Sequence, residues 1–428
     1  MIQERGAILL VSATLIAALA ASSVLDTVPL GAIAGAGVFC IVLLAVFPGE
    51  VPPGWTVSLA ALITLGILPF QLPLVGVAPT QWLLPGLGVG AFAAFVVALL
   101  PWLPWLPLRR LFAFVALAAM AVGFALIVRG GHPLIDVWVM LRDASAGLLH
   151  GLNPYELKFP DVPRGQDDYC FPYVPGAFLL TAPAQWLLGD VRWMEGACLV
   201  AAVGLTAWHA TDRGRRIDGA ALPVALLLGA MPGTLHVVEQ SWTEPMLLLA
   251  MTAAAVLIDR GRVNWAIVPL GVALATKQYL IVLVPLLCFW PNFGWRRVVA
   301  SGALAGVICL PWFLVNPERF VACTIGFHIF LPPMSASMSI WLFLPGPVRA
   351  VAVVLGVAIA YAVVAPRAPR TGSGFLLAAG VVLAVFDFTN KASFLNEWWF
   401  ASELIVAGLA IAAVDKADGG AKAASELA

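Results

Sequence analysis

Charge is what this chain has least of. Only 11% of its 428 residues are Asp, Glu, Lys or Arg, 23 acidic against 23 basic, where a soluble domain carries about 25%. Hydrophobic residues make up 62% and the mean hydropathy is +0.97. No soluble core of this length hides that much apolar surface, because most of a folded surface faces water. The shortage excludes a soluble enzyme, a secreted disulfide scaffold and a disordered chain. Zero net charge gives no basic patch for nucleic acid. Nucleotide-binding signatures, Gly-rich phosphate loops and a Ser-His-Asp order are missing too, so ATP is not expected to drive the protein. Six cysteines include no Cys-x-x-Cys pair, which leaves no zinc or thiol-redox signature. Cys40, Cys198, Cys288 and Cys309 lie in apolar runs and read as small hydrophobes. Cys170 and Cys323 fall in candidate external segments and are read as unpaired, with a bridge between them as the alternative.

What is there is apolar helix. A span needs about 20 residues to cross ~30 Å of hydrocarbon. The expected fold is therefore all-α and polytopic, with 12–14 spans between Ala7 and Val414. Several runs, such as Val263–Thr276 and Tyr279–Trp290, are too short to cross alone, and broken helices at membrane depth line cavities. The N-terminal run reads as a first membrane helix rather than a cleaved signal. The tail after Asp415 reads as polar and disordered. Residues 1–108 form a first group of membrane helices, 109–414 the main module with a long external loop at 129–192, and 415–428 a cytoplasmic tail.

Arginine clusters at Arg109–Arg110, Arg213/Arg215/Arg216, Arg260/Arg262, Arg296–Arg297 and Arg367/Arg370 orient the chain by the positive-inside rule. All are cytoplasmic together only if the Pro-rich run Phe171–Leu188 stays at the outer face. Both termini are then cytoplasmic. The outer side receives Arg129–Pro172, Gly233–Glu244, Lys277–Gln278, Asn316–Pro347 and Thr389–Glu397. Ionisable groups at the membrane edge are costly and mark function, and here they fall on one face.

Asp136 follows a span, and Asp143 lies two helical turns on, on the same face. Asn153-Pro154-Tyr155 reads as a turn. Tyr169, Phe171 and Tyr173 read as an interfacial aromatic belt. His236, Glu239, Gln240, Trp242 and Glu244 crowd into nine residues. Two ligands at i, i+3 are too few for a metal, so this loop reads as a polar rim that binds an acceptor, and no metal is expected. Lys277, with Gln278 beside it, sits between two short apolar runs and must reach water, an acid or a phosphate. His328, Arg349, Lys391, Asn396 and Glu397 complete the external polar set.

The run Asp136…Gly151-Leu-Asn-Pro154-Tyr155, followed by Tyr169-Cys-Phe-Pro172-Tyr173-Val-Pro175, resembles the first external loop of superfamily C membrane glycosyltransferases. It is most similar to family 87, the bacterial polyprenyl-phosphate-dependent group that includes mannosyltransferases. Thr276-Lys277-Gln278 and Asn390-Lys391-Ala-Ser-Phe-Leu-Asn396 resemble that group's lysine-containing turns. The resemblance covers roughly Leu111 to Val414 and leaves the first four spans outside it. It implies inverting transfer of mannose or a related sugar from a polyprenyl-phosphate donor to an extracytoplasmic glycan or glycolipid, at the plasma membrane. No cofactor is implied; membrane lipids, the lipid-linked sugar and the acceptor are the partners. Asp136 would take the acceptor's proton. Lys277, Gln278, Lys391 and Arg349 would meet the donor phosphate. Asp143, Asn153, Tyr155, Tyr169, Tyr173, His236, Glu239, Gln240, Trp242, Glu244, His328, Asn396 and Glu397 would hold sugar or acceptor. The competing reading is a transporter or flippase of a lipid-linked or polar solute, against which no clear internal repeat is found.

Overall fold

The computed structural model describes residues 2–22, 28–49, 52–71, 83–103, 106–133, 135–162, 170–212, 221–288, 290, 293–332 and 334–426. Among these residues every regular element is helical. The helices are α1 (Ile2–Ser22), α2 (Leu30–Val46), α3 (Gly54–Gln71), α4 (Leu83–Leu99), α5 (Leu106–Arg129), α6 (Asp136–Leu148), α7 (Gly176–Leu188), α8 (Arg192–Asp212), α9 (Ala221–Leu227) and α10 (Thr234–Glu239). They continue with α11 (Glu244–Asp259), α12 (Ile267–Thr276), α13 (Val284–Cys288), α14 (Gly294–Val315), α15 (Pro317–Val321), α16 (Phe327–Phe330), α17 (Gly346–Val364), α18 (Gly372–Thr389) and α19 (Leu395–Glu426).

Six of these helices are long and apolar enough to cross a membrane, and six shorter apolar segments accompany them. The chain is thus an all-α membrane protein whose expected spans divide into full-length and partial ones. Burial sorts the long helices. Of α18's most apolar window 89% is buried, but only 11% in α14 and in α17. Axial α18 packs on α19, α17 and α11. In contrast, α14 and α17 turn Val307, Leu314, Val354 and Ile359 outward. Such exposed aliphatic stripes suit hydrocarbon. The first four helices are part of the same packing: α1 lies on α19, α3 on α9, and α4 on α5. The boundary drawn after residue 108 falls inside α5.

One end of the bundle brings Arg262 and Arg297 together with Arg260 near by, while Arg213, Arg215 and Arg216 lie outside the described residues. There Arg297 donates to Asn264 (2.8 Å), Arg260 lies 3.8 Å over the Trp208 ring, and the Gly372 N–H meets the Asp259 carboxylate. From this arginine end α12 climbs ten residues, about 15 Å at helical rise, and breaks at Lys277, whose backbone is extended (φ −149°). A 3-10 turn, Gln278–Leu283, and α13 then return toward Arg296. The Tyr361 hydroxyl pins this descending arm by donating to the Val282 carbonyl (2.6 Å). Neighbouring α14 has 22 residues, about 33 Å. Lys277 is therefore the tip of a half-depth hairpin rather than a turn between two spans.

The Pro-rich run returns to the end of the bundle that it leaves. Gly176 starts α7 against the hairpin tip, where a Cβ would lie 2.5 Å from the Ala275 carbonyl oxygen, so only glycine fits. After α7, Arg192 reaches the Val128 carbonyl in the last turn of α5 and the Gly131 carbonyl just past it (2.8 and 2.7 Å). One expectation is overturned at the C-terminus. The tail after Asp415 is not irregular; α19 continues through Glu426, because its alanines, lysines and glutamate are strong helix formers that offset two glycines.

Candidate functional site

Four interruptions of the bundle meet opposite the arginine end: the α10–α11 loop, the hairpin tip at Lys277, the α18–α19 turn and the segment before α7. Glu244 opens α11 ahead of Pro245, where a carboxylate suits the positive helix end. Its Oε1 accepts from the Lys277 ammonium and from Asn396 Nδ2 (2.8 Å). Glu397, in the first turn of α19, caps that helix by accepting from the Phe394 N–H (3.0 Å) and lies 3.7 Å from Lys277 Nζ. The Tyr279 and Tyr173 rings flank the ammonium, centroids at 5.4 and 5.7 Å. Asp387 of α18 is within electrostatic reach of Lys277, Glu244 and Glu397. One buried lysine is thus shared among three acids.

A roof of two external segments covers this cluster. Cys170 and Cys323 form a disulfide, Cα atoms 5.6 Å apart, which corrects the expectation of two unpaired thiols. Their 153-residue separation hides in the sequence a proximity that only the fold creates. Beside the bridge, the Pro172 carbonyl accepts from Gln278 Nε2 (2.7 Å) and His328 Nε2 (3.0 Å), and Gln278 also donates to the Thr324 carbonyl (2.9 Å). Thr324 lies in a π-helical turn, Ala322–Gly326, a conformation that recurs at functional sites. Lys391 donates to the Ile329 and Leu331 carbonyls (2.7 and 2.8 Å) and so caps the end of α16. Burial holds the His328 imidazole below its ordinary range, with Lys277 and Lys391 adding to the effect against the Pro172 bond. Burial also lowers Lys391.

The first external loop divides by role. Asp136 is the first residue of α6, half-buried, and its Oδ1 accepts from the Val137 N–H (2.9 Å). Arg142, the nearby cation, is engaged by Asp143 (2.6 Å) and Asp161 (3.1 Å) and lies over Trp138. That pairing places Asp143 in a surface ion network. Asn153 accepts from the Tyr155 N–H (3.2 Å). Tyr155 is fully buried edge-on to Phe171, Phe178 and Phe320, and its hydroxyl donates to the Tyr173 carbonyl (2.9 Å). Both residues act within the packing here. Tyr169 lies outside the described residues. Arg349 donates to the Leu344 carbonyl (3.0 Å) beside Trp341.

The α10–α11 loop is buried from Thr234 to Glu244. His236 and Glu239 bond each other (2.9 Å), and the Trp242 ring stands edge-on to the imidazole at 5.4 Å. Gln240 is buried beside them. Ser241, at φ 60°, is held by its hydroxyl, which donates to Glu195 Oε1 (2.8 Å). At this end Glu195 Oε2, His236 Nε2, Thr243 Oγ1, Glu244 Oε2, Gln278 Oε1, the Tyr279 hydroxyl and Asp387 Oδ1 are buried without a hydrogen-bond partner. Native interiors leave few such atoms, and each calls for an explanation. Among the described residues no three His, Cys, Asp or Glu side chains converge as a metal site would need. Glu195 and Asp387 were missed from the sequence, although a lone acid in an apolar run is itself a signal.

No protein-family model matches the chain, and no curated protein or solved structure matches it.

Proposed function

We propose that the protein is an inverting glycosyltransferase that moves mannose or a related sugar from a polyprenyl-phosphate donor to an extracytoplasmic glycan or glycolipid. The observation that carries this reading is the Glu244–Lys277–Glu397–Asn396 cluster, buried where the polar segments converge, opposite the arginines. Hydroxyl-rich ligands suit its surroundings, because they satisfy both donors and acceptors. Superfamily C architecture fits a site recessed at the outer end of a bundle with half-depth helices.

Chemically, Asp136 takes the proton of the acceptor hydroxyl as its oxygen attacks the anomeric carbon. The bond from that carbon to the phosphate oxygen breaks, and its electron pair stays on the lipid phosphate. Charge then develops on the phosphate and needs a cation. Lys277 already faces Glu244 and Glu397, so it suits holding the site together. Lys391 donates to two neutral carbonyls that do not cancel its charge, which favours it for the phosphate. The test is sugar transfer by the purified protein in liposomes holding labelled polyprenyl-phosphate sugars and candidate acceptors. Absence of transfer across the panel would refute the reading.

A second reading, a transporter of a lipid-linked or polar solute, is favoured by one observation. Glu403 of α19 is fully buried and neither carboxylate oxygen has a hydrogen-bond partner, as in proton-coupled carriers. Movement of labelled donor across the same liposomes without chemical transfer would support that reading instead.

A further inference from the structure

We infer that His236 reads one hydroxyl group of the sugar ligand, its Nε2 accepting a hydrogen bond from that hydroxyl. The inference rests on the glycosyl-transfer reading and adds the element that selects the substrate. His236 Nδ1 lies 2.9 Å from Glu239 Oε2. With the Glu239 oxygen accepting from Nδ1–H, Nε2 is the ring nitrogen left to accept a hydrogen bond. That nitrogen is buried, on a residue only 4% exposed, and has no hydrogen-bond partner. A buried polar atom without a partner calls for an explanation, and the Glu239 bond at Nδ1 leaves that atom as Nε2.

The surroundings match a sugar. Trp242 stands edge-on to the imidazole, 82° between planes, and aromatic walls suit the apolar face of a pyranose. Thr243 Oγ1 and Glu244 Oε2, on the same loop, are also buried and unpartnered. Glu244 is the partner of Lys277, so the imidazole belongs to the loop that builds the cluster. Glu195 fixes the loop through Ser241, which keeps the dyad rigid and hence selective.

A site built to bond a hydroxyl rejects an analogue lacking it, because the buried partner is then left unpaired. The experiment is a cycle between protein and substrate. Wild type and His236→Phe are assayed in liposomes with the parent donor and acceptor and with each singly deoxygenated analogue. With wild type, one analogue is expected to lose about 10- to 100-fold in kcat/KM. Parent substrate with His236→Phe loses a similar factor, and the same analogue then costs His236→Phe less than about threefold more. Whether that analogue is a donor or an acceptor tells which sugar carries the hydroxyl. Glu239→Ala, which frees the tautomer, should weaken the same preference and no other. It serves as the readout if His236→Phe is not monodisperse. Losses that multiply for every analogue overturn the inference and leave glycosyl transfer standing. No transfer by wild type from any donor removes the underlying reading and the inference with it.

Discussion

Removing Lys277 and Glu244 together should cost clearly less than the sum of the two single removals. Lys277→Met leaves Glu244 and Glu397 facing each other without a cation, with Asp387 behind them. Breaking a buried pair by deleting one partner costs about 3–5 kcal/mol, and three uncompensated acids put this variant near about 5 kcal/mol. Glu244→Leu leaves Lys277 with Glu397 at 3.7 Å but orphans the Asn396 amide, which puts it near about 3 kcal/mol. In the double variant the leucine replaces a charge that, with Lys277 gone, only repels Glu397. The double should therefore cost about 5 kcal/mol instead of the additive ~8, a coupling of about 3 kcal/mol. Equilibrium unfolding in mixed micelles measures all three. Costs that add to within about 0.5 kcal/mol refute the shared ion cluster. Sugar transfer at the wild-type rate by a folded double variant refutes its role in activity.

Asp136→Asn keeps the oxygen that accepts from the Val137 N–H, so it should fold normally while transfer falls about 10²- to 10⁴-fold; near-native rates would remove Asp136 as the base. Lys391→Met is expected to raise the donor KM about tenfold with a smaller change in kcat, and equal effects with a phosphate-free donor analogue would sink the phosphate assignment. Joint Cys170→Ser and Cys323→Ser replacement should cost about 2–5 kcal/mol, towards the low end because Gln278 and His328 still tie Pro172 in place; unchanged stability contradicts a structural bridge. His328 gives a pH dependence. Its folded value lies below the ordinary ~6.5 because of burial and the nearby lysines, so the unfolded chain takes up the proton first. Its contribution is intact above about pH 6.5 and lost as pH falls towards the folded value. His328→Gln should flatten that slope in unfolding measured from about pH 7.5 to 5, and an unaltered slope refutes the assignment.

Periodicity and charge sign carried the coarse architecture, since both are local properties of the chain. Apolar runs announced the membrane helices, and of the arginine clusters at least Arg262 and Arg297 share the end where Arg297 meets Asn264. The Pro-rich run was expected to stay at one face for the same reason: crossing would have put a triple-arginine loop, which lies outside the described residues, on the other side. Depth was legible in part: the runs on either side of Lys277 were already too short to cross alone, but composition could not say that the hairpin tip they form is met by Pro172. Pairing was not legible. A lysine in an apolar region asks for an anion, but whether it finds a phosphate or a carboxylate depends on Glu244 and Glu397, 33 positions or more away in the chain. The disulfide belongs to the same class of long-range fact, and it feeds back on the local reading. Bridges persist in oxidising compartments, whereas arginine-rich loops stay in the cytoplasm. The proposed outward orientation of the site therefore draws on two unrelated forces, the redox chemistry that would keep the Cys170–Cys323 bridge and the insertion electrostatics that would hold Arg262 and Arg297 on the opposite side.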